Sequence, residues 1–308
     1  MNKVLKRKSK FNRRSDIELW LMAAIPLCLL ICFSYIPLAG LQLAFKNFNY
    51  TGGIWRSPWN GLENFKFIFA TGDIVRITRN TLVLNSLFIL TTTVGGIVFA
   101  IILNEIRSRT MIRIFQTCMF LPYILSASVV AYIAFSFLNT EYGFLNVIIR
   151  KLGGEGLMWY SEPKYWYPIL IIVNLWKGLG YSTIIYYASI ISIDESYYEA
   201  AAIDGSSWVQ SRIYITIPFI TPMIITLFIM NIGGIFYADF GLFYMVPRNN
   251  GVLYPATDVI DTYVYRALFD GDFGKSAATG LYQSVVGFVL VVFTNWLAKR
   301  YDENSAIF

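Results

Sequence analysis

Ile193-Asp194-Glu195-Ser196-Tyr197-Tyr198-Glu199-Ala200-Ala201-Ala202-Ile203-Asp204-Gly205-Ser206-Ser207-Trp208 is a polar, helix-forming stretch set between two long apolar runs. Four acids (Asp194, Glu195, Glu199, Asp204) accompany a single base, Arg212, between residues 193 and 214, which makes the segment too polar to cross a bilayer. Asp194 and Ser196 are candidate caps, Glu199 to Ala202 are strong helix formers, and Gly205 supplies a left-handed exit. The runs on either side, near 168–192 and 215–237, are each long enough to span about 30 Å of hydrocarbon at about 1.5 Å per residue. The segment is therefore expected to be a short helix outside the membrane joining two spanning helices. Physics alone leaves two readings open: a solvated loop helix with no partner, or a lever seated in a groove of a soluble partner.

Working outward, four more apolar runs lie near 19–45, 81–103, 113–138 and 279–298, which gives six candidate spans. Pro26 and Pro37 interrupt the first and Pro122 the third, so those helices are expected to be kinked. The composition agrees: 56% of the 308 residues are hydrophobic and 14% charged, against roughly 25% charged in a soluble domain. The expected fold class is an all-α integral membrane protein with six transmembrane helices. It divides into a basic arm (1–18), a six-helix domain (19–299) and a short tail (300–308). No internal repeat or low-complexity tract divides it further.

Charge and residue type exclude several functions. The formal charge is +6, but seven of the 25 basic residues lie within the first 14 positions, and the remaining 18 face 19 acids. That distribution fits the cytoplasmic end of a membrane protein or contact with anionic lipid, and no nucleic-acid partner is expected. With six spans both termini share one side. The segments on that side carry 13 Lys or Arg in about 60 residues, against 11 in about 105 on the other, so the termini are placed in the cytoplasm. The first run is long and has no Ala-x-Ala site near its end, so it reads as an uncleaved anchor. There is no histidine, which removes imidazole catalysis and His-ligated metal sites, and Cys28, Cys32 and Cys118 read as small apolar residues. No catalytic or metal-binding residue is assigned.

Glu199-Ala200-Ala201, then three residues to Gly205, nine to Ile215 and a closing Pro218 resemble the EAA motif of inner-membrane permease subunits of binding-protein-dependent ATP-binding-cassette importers. The family pattern ends Ile-x-Leu-Pro, whereas this chain has Ile215-Thr216-Ile217-Pro218, a conservative departure. The similarity extends over nearly the whole chain, through Tyr35-Ile-Pro-Leu-Ala-Gly40, Gly61-Leu-Glu-Asn-Phe65, Leu103-Asn-Glu105, Leu121-Pro122 and Asp258-Val-Ile-Asp-Thr-Tyr-Val-Tyr-Arg266. It points to the carbohydrate branch, the oligo- and polysaccharide permeases. The resemblance implies a type I importer permease fold in a bacterial cytoplasmic membrane. It also implies that residues 194–206 form a coupling helix in which Glu199, Ala200, Ala201, Asp204 and Gly205 dock on an ATPase. The partners it implies are a second homologous permease subunit, making a heterodimer, two ATP-binding-cassette ATPases and an extracytoplasmic sugar-binding protein. ATP and Mg would lie on the ATPases, with no cofactor on this chain.

The residues also suggest a sugar path. Asn85, Asn174, Lys177, Tyr181, Asn231 and Tyr237 are polar groups within the expected spans, suited to hydroxyl recognition. Lys177 is the costliest of them, and reads either as a group facing a cavity or partner or as one snorkelling to the interface. The Trp- and Tyr-rich outer loops could stack on sugar rings or form an interfacial belt, and outer Arg248, Arg266 and Lys275 could meet carboxylates of an acidic glycan. Gly274-Lys275-Ser276 lacks the first glycine of a phosphate loop, since Phe269 stands there, and is expected to be an ordinary loop. Two other classes remain to be weighed. A secondary transporter or channel would want buried carboxylates in its spans, and a membrane-embedded enzyme would want clustered acid, base or metal ligands.

Overall fold

A computed structural model describes residues 13–301, all of whose regular elements are helices. The basic arm up to residue 12 and the tail beyond 301 lie outside the described residues. Five helices are long and apolar enough to cross a membrane, and a sixth crossing is available if one sharply bent helix pair counts as a single span.

The first span runs as an α-helix over Arg13–Leu30, widens into a π turn at Ile31–Tyr35 and tightens into a 3₁₀ helix over Ile36–Phe45. The α-helix continues through Pro26, and the change in winding comes just ahead of Pro37, which has no N–H to give the preceding turn. In the π turn the Ile36 N–H bonds to the Ile31 carbonyl five residues back. No residue is buried in the most apolar window of this span, and only its end at Leu43 and Ala44 enters the core.

The second helix, Asp73–Asn104, begins well before the expected position near 81. Its first two turns carry Arg76, Arg79 and Asn80, whose polarity hides the helix from a hydropathy reading. They are polar because they hold down the loop after the fifth span: the Asn80 amide donates to the Pro255 and Asp258 carbonyls at 3.2 and 3.0 Å. The sixth helix, Phe273–Tyr301, likewise starts early. Gly274-Lys275-Ser276 is consequently its first turn and not an ordinary loop, with the Asp272 carboxylate accepting from the Lys275 N–H at 3.2 Å.

The third expected span needs a larger correction. It is two helices, Arg109–Ile124 and Ala127–Leu138, bent by 100°. Pro122 lies inside the first helix, and the break falls three residues later, where Leu125 and Ser126 are extended and the Ser126 hydroxyl accepts from the Val129 N–H to start a new helix. A cap of that kind ends one helix and begins another, which a proline kink alone does not.

The fourth span, Trp166–Ile190, is the hub of the fold and packs on the second along its length. It also meets the third-span helix backbone to backbone at Gly180, where an added β-carbon would collide with the Met119 carbonyl. Gly180→Ala is expected to lower stability by about 1–3 kcal/mol through overpacking. A melt of the purified protein in detergent checks this, and an unchanged midpoint would mean the contact is looser than it looks. The fifth span enters through a π turn at Arg212–Thr216 and runs Ile217–Gly233, ending before Tyr237, which lies in the turn beyond it.

Two large apolar clusters hold the bundle together around the loop after the fifth span. Leu84, Phe88, Trp166, Leu170 and Val246 form one, and Ile68, Ile77, Phe236, Ile260 and Ala278 the other. Between them the fully buried Asp258 carboxylate accepts from Arg266 at 2.7 and 2.8 Å, from Arg76 at 3.2 Å and from Thr262 at 2.9 Å.

Candidate functional site

The polar stretch that joins the fourth and fifth spans is built as expected in outline. Ser196–Ile203 is an α-helix, and Gly205 leaves it at φ +79° with open space around its α-carbon. Capping differs from the expectation. The Asp194 carboxylate accepts from the Ser196 N–H at 2.9 Å, so Asp194 closes the helix start while Ser196 is its first residue. That bond, with help from the Ser196 hydroxyl, holds the Asp194 carboxyl below the usual range. Ser207 and Gln210 then form a reciprocal capping box that starts the turn Trp208–Ser211 leading into the fifth span.

This connection is stiff at its base and bare at its tip. The Tyr198 hydroxyl lies 2.9 Å from that of the buried Thr216, and the Tyr197 ring packs on Phe219 with centroids 4.8 Å apart. Arg212 ion-pairs with Glu105 at the C-terminal end of the second helix and lies over the Tyr198 and Trp208 rings. Glu199, Ala200, Asp204 and Gly205 are exposed and Ala201 half-buried, and Ile203 next to them is 86% exposed. An aliphatic side chain left bare after a run of three alanines is a surface without a cover in this chain. A cleft of about 460 Å³, lined by Glu195, Glu199, Ser206, Trp208 and Arg212 among others, opens beside the helix.

A second site lies deeper in the bundle. Asn85, Asn174, Tyr181, Asn231 and Tyr237 line one cavity of about 430 Å³ together with Ser182, Tyr186 and Asp239. Five of the six residues singled out for the path are thus brought to one space by the second, fourth and fifth helices and the turn after the fifth. Asn85 contributes a wall more than a free donor, since its amide is given to the Ile235 carbonyl at 2.7 Å. The Tyr181 ring stacks on Tyr123 at 4.9 Å and 11°. Lys177 neither lines the cavity nor snorkels unpaired: its ammonium meets the Asp239 carboxylate at 3.1 Å, and the other Asp239 oxygen caps the helix Phe240–Met245. Asp239 was not legible beforehand because it lies 62 residues from Lys177 in a loop.

The three basic residues expected on the outer side divide. Arg266 is tied to Asp258, and Lys275 is tied to Asp272 and sits over the Phe67 ring, so neither is free to meet a ligand carboxylate. Arg248 has no carboxylate within ion-pair distance among the described residues, and its guanidinium lies 4.3 Å over the Phe135 ring. Burial raises the Asp261 carboxyl, opposed by hydrogen bonds from the Ala238 N–H and Gln283. Among the described residues no group of three or more potential metal ligands exists.

Residues 92–303 match the model of the binding-protein-dependent transport system inner membrane component. The chain is 33% identical over 293 residues to the protein LplB of Bacillus subtilis (strain 168), covering 95% of this chain and 92% of that one. It is also 33% identical over 283 residues to the polygalacturonan/rhamnogalacturonan transport system permease protein YteP of the same organism, covering 91% and 88%. In three dimensions it is similar to a chain of a bacterial ABC transporter involved in the import of the acidic polysaccharide alginate, with a TM-score of 0.84, 31% identity and coverage of 94% and 97%.

Proposed function

The chain belongs to the inner membrane components of binding-protein-dependent transport systems, and we propose that it is the sugar-conducting permease subunit of an ATP-driven importer of oligosaccharides or polysaccharide fragments. The observation that carries the mechanism is the pairing of two sites at different depths. An uncovered short helix sits at one end of the fourth and fifth spans, and a cavity lined in part by amides, hydroxyls and phenols lies between those spans and the second. A displacement of the helix moves both walls of the cavity, which is what alternating access requires.

In this reading Glu199, Ala200, Ala201, Asp204 and Gly205 seat in a groove of an ATPase subunit, one of two that bind ATP and Mg. This chain supplies no catalytic group and binds no nucleotide. A second permease subunit completes the pore, an extracytoplasmic binding protein delivers the sugar, and both termini face the cytoplasm of a bacterium. The first span, uncovered within this chain, meets lipid or that second subunit along its apolar length. A glycan cargo is supported by the amides and phenols of the cavity, which bond hydroxyls while adding little charge. The relatives named for polygalacturonan and alginate transport support the same class.

Co-purification tests the assembly: the tagged chain should bring down an ATPase and a second membrane subunit, and isolation of this chain alone would sink the importer reading. For the path, Asn231→Leu and Tyr237→Ala are each expected to reduce initial uptake about fivefold, the value of one hydrogen bond of about 1 kcal/mol, while ATPase association is retained. Wild-type transport kinetics in both variants would remove these residues from the path.

A further inference from the structure

At the end of the bundle opposite the Ser196–Ile203 helix, residues 244–249 close the helix Phe240–Met245 with a doubly bonded cap. The Arg248 N–H donates to the Met245 carbonyl at 3.1 Å and the Asn249 N–H to the Tyr244 carbonyl at 3.0 Å. That pattern demands a left-handed residue at the position Arg248 occupies, where glycine is the usual choice. Here it is an arginine at φ +60°, followed by Asn249 at φ +47°. Left-handed asparagine is common, whereas a left-handed arginine is strained and persists where its surroundings fix it.

The guanidinium of this residue lies 4.3 Å over the Phe135 ring, at the junction of two clefts of about 570 and 350 Å³ that share Phe135 and Arg248. The larger cleft is also lined by Asn139, Thr140, Glu141 and Tyr160. Asn139 uses its carbonyl oxygen to accept from the Glu141 and Tyr142 N–H groups, and no described residue accepts from its amide nitrogen or from the Thr140 hydroxyl. Tyr160 is a fixed wall: its hydroxyl donates to the Val246 carbonyl at 3.3 Å and its ring packs edge-on against Phe135 and Trp166.

We propose that this outer cleft is an entry site for an acidic oligosaccharide, in which Arg248 takes the carboxylate of a uronic-acid residue. Asn139, Thr140 and Glu141 take the ring hydroxyls, and Phe135 lies against the sugar face. A planar guanidinium backed by an aromatic ring and unopposed by a bound carboxylate matches a carboxylate bidentately. Glu141 is a hydroxyl acceptor in the same cleft. The assignment rests on the importer reading and narrows its substrate class.

The test uses the complete transporter, permease pair with ATPases, in lipid nanodiscs. Equilibrium binding of tri-galacturonate and of maltotriose is measured for wild type, Arg248→Gly and Arg248→Lys. Arg248→Gly puts the preferred residue at the cap, so the fold is retained and a melt verifies it. The expected result is that wild type prefers tri-galacturonate, that Arg248→Gly weakens it about tenfold, as loss of a charged hydrogen bond does, and that Arg248→Lys recovers part of the loss, with maltotriose unchanged throughout. Equal binding of tri-galacturonate by Arg248→Gly, no preference over maltotriose in wild type, or a parallel loss for both sugars would each overturn the assignment. Absence of ATPase from the purified particle would instead break the importer reading.

Discussion

Glu199→Lys and Gly205→Pro are each expected to leave the subunit in the membrane and reduce sugar uptake at least ~tenfold, the loss typical when a central contact of an interface is removed. Glu199 is exposed on the face of the Ser196–Ile203 helix and lines the cleft beside it, so a reversed charge there meets any partner directly without disturbing a core. Gly205 acts differently. Its φ of +79° lies far from the value near −65° that a proline ring enforces, so the substitution redirects the chain where the helix leaves for the fifth span. The helix would survive and the joint would not. Membrane insertion, co-purifying ATPase and uptake are the three measurements. Normal uptake in both variants would show that this helix transmits nothing.

The second large effect is structural. Asp258→Asn is expected to destabilise the protein by about 3–5 kcal/mol, because removing one partner of a buried ion pair leaves the Arg266 guanidinium uncompensated, while Arg76 keeps the Asp73 carboxylate at 2.8 Å. Asp258 is fully buried and serves two guanidiniums, Arg266 and Arg76, the second of which is about one-third exposed, so the low end of that range is expected. Arg266 is further held by stacking 4.0 Å over Tyr254, which fixes its position even when the carboxylate charge is gone. Thermal unfolding in detergent measures the loss. A double variant with Arg266→Met should recover part of it. A single variant as stable as wild type would mean that water reaches the triad.

Much of the architecture was legible because lipid imposes a long-range rule on sequence: a crossing segment must stay apolar for about 20 residues. The six runs and the polar segment at 193–214 follow from that rule. Helix ends do not. Asp73 to Asn80 and Phe273 to Thr279 are helical although polar, since they pack against protein and not lipid. The break after Ile124 depends on the Ser126 cap, a single hydroxyl placed within an apolar run.

Polar groups at membrane depth are legible in the sequence, and Asn174, Tyr181 and Asn231 do share one space. Their companions were hidden by sequence distance. Asp239 reaches Lys177 across 62 residues, and Asp258 reaches Arg76 across 182. Arg248 was visible as a charge, but its left-handed backbone and its ring partner Phe135 belong only to the fold.

The backbone contact at Gly180 settles where this molecule can yield. With the Met119 carbonyl pressed against a residue that has no side chain, the third and fourth helices have no gap to close and no side chain to re-rotamerise. The second helix packs along the fourth, so these three would be expected to shift together. The 430 Å³ hollow lies at the seam facing the fifth helix, where such a shift would be felt. A small molecule wedged into that seam would jam the shear without touching any nucleotide, which makes it a natural place for an inhibitor to act.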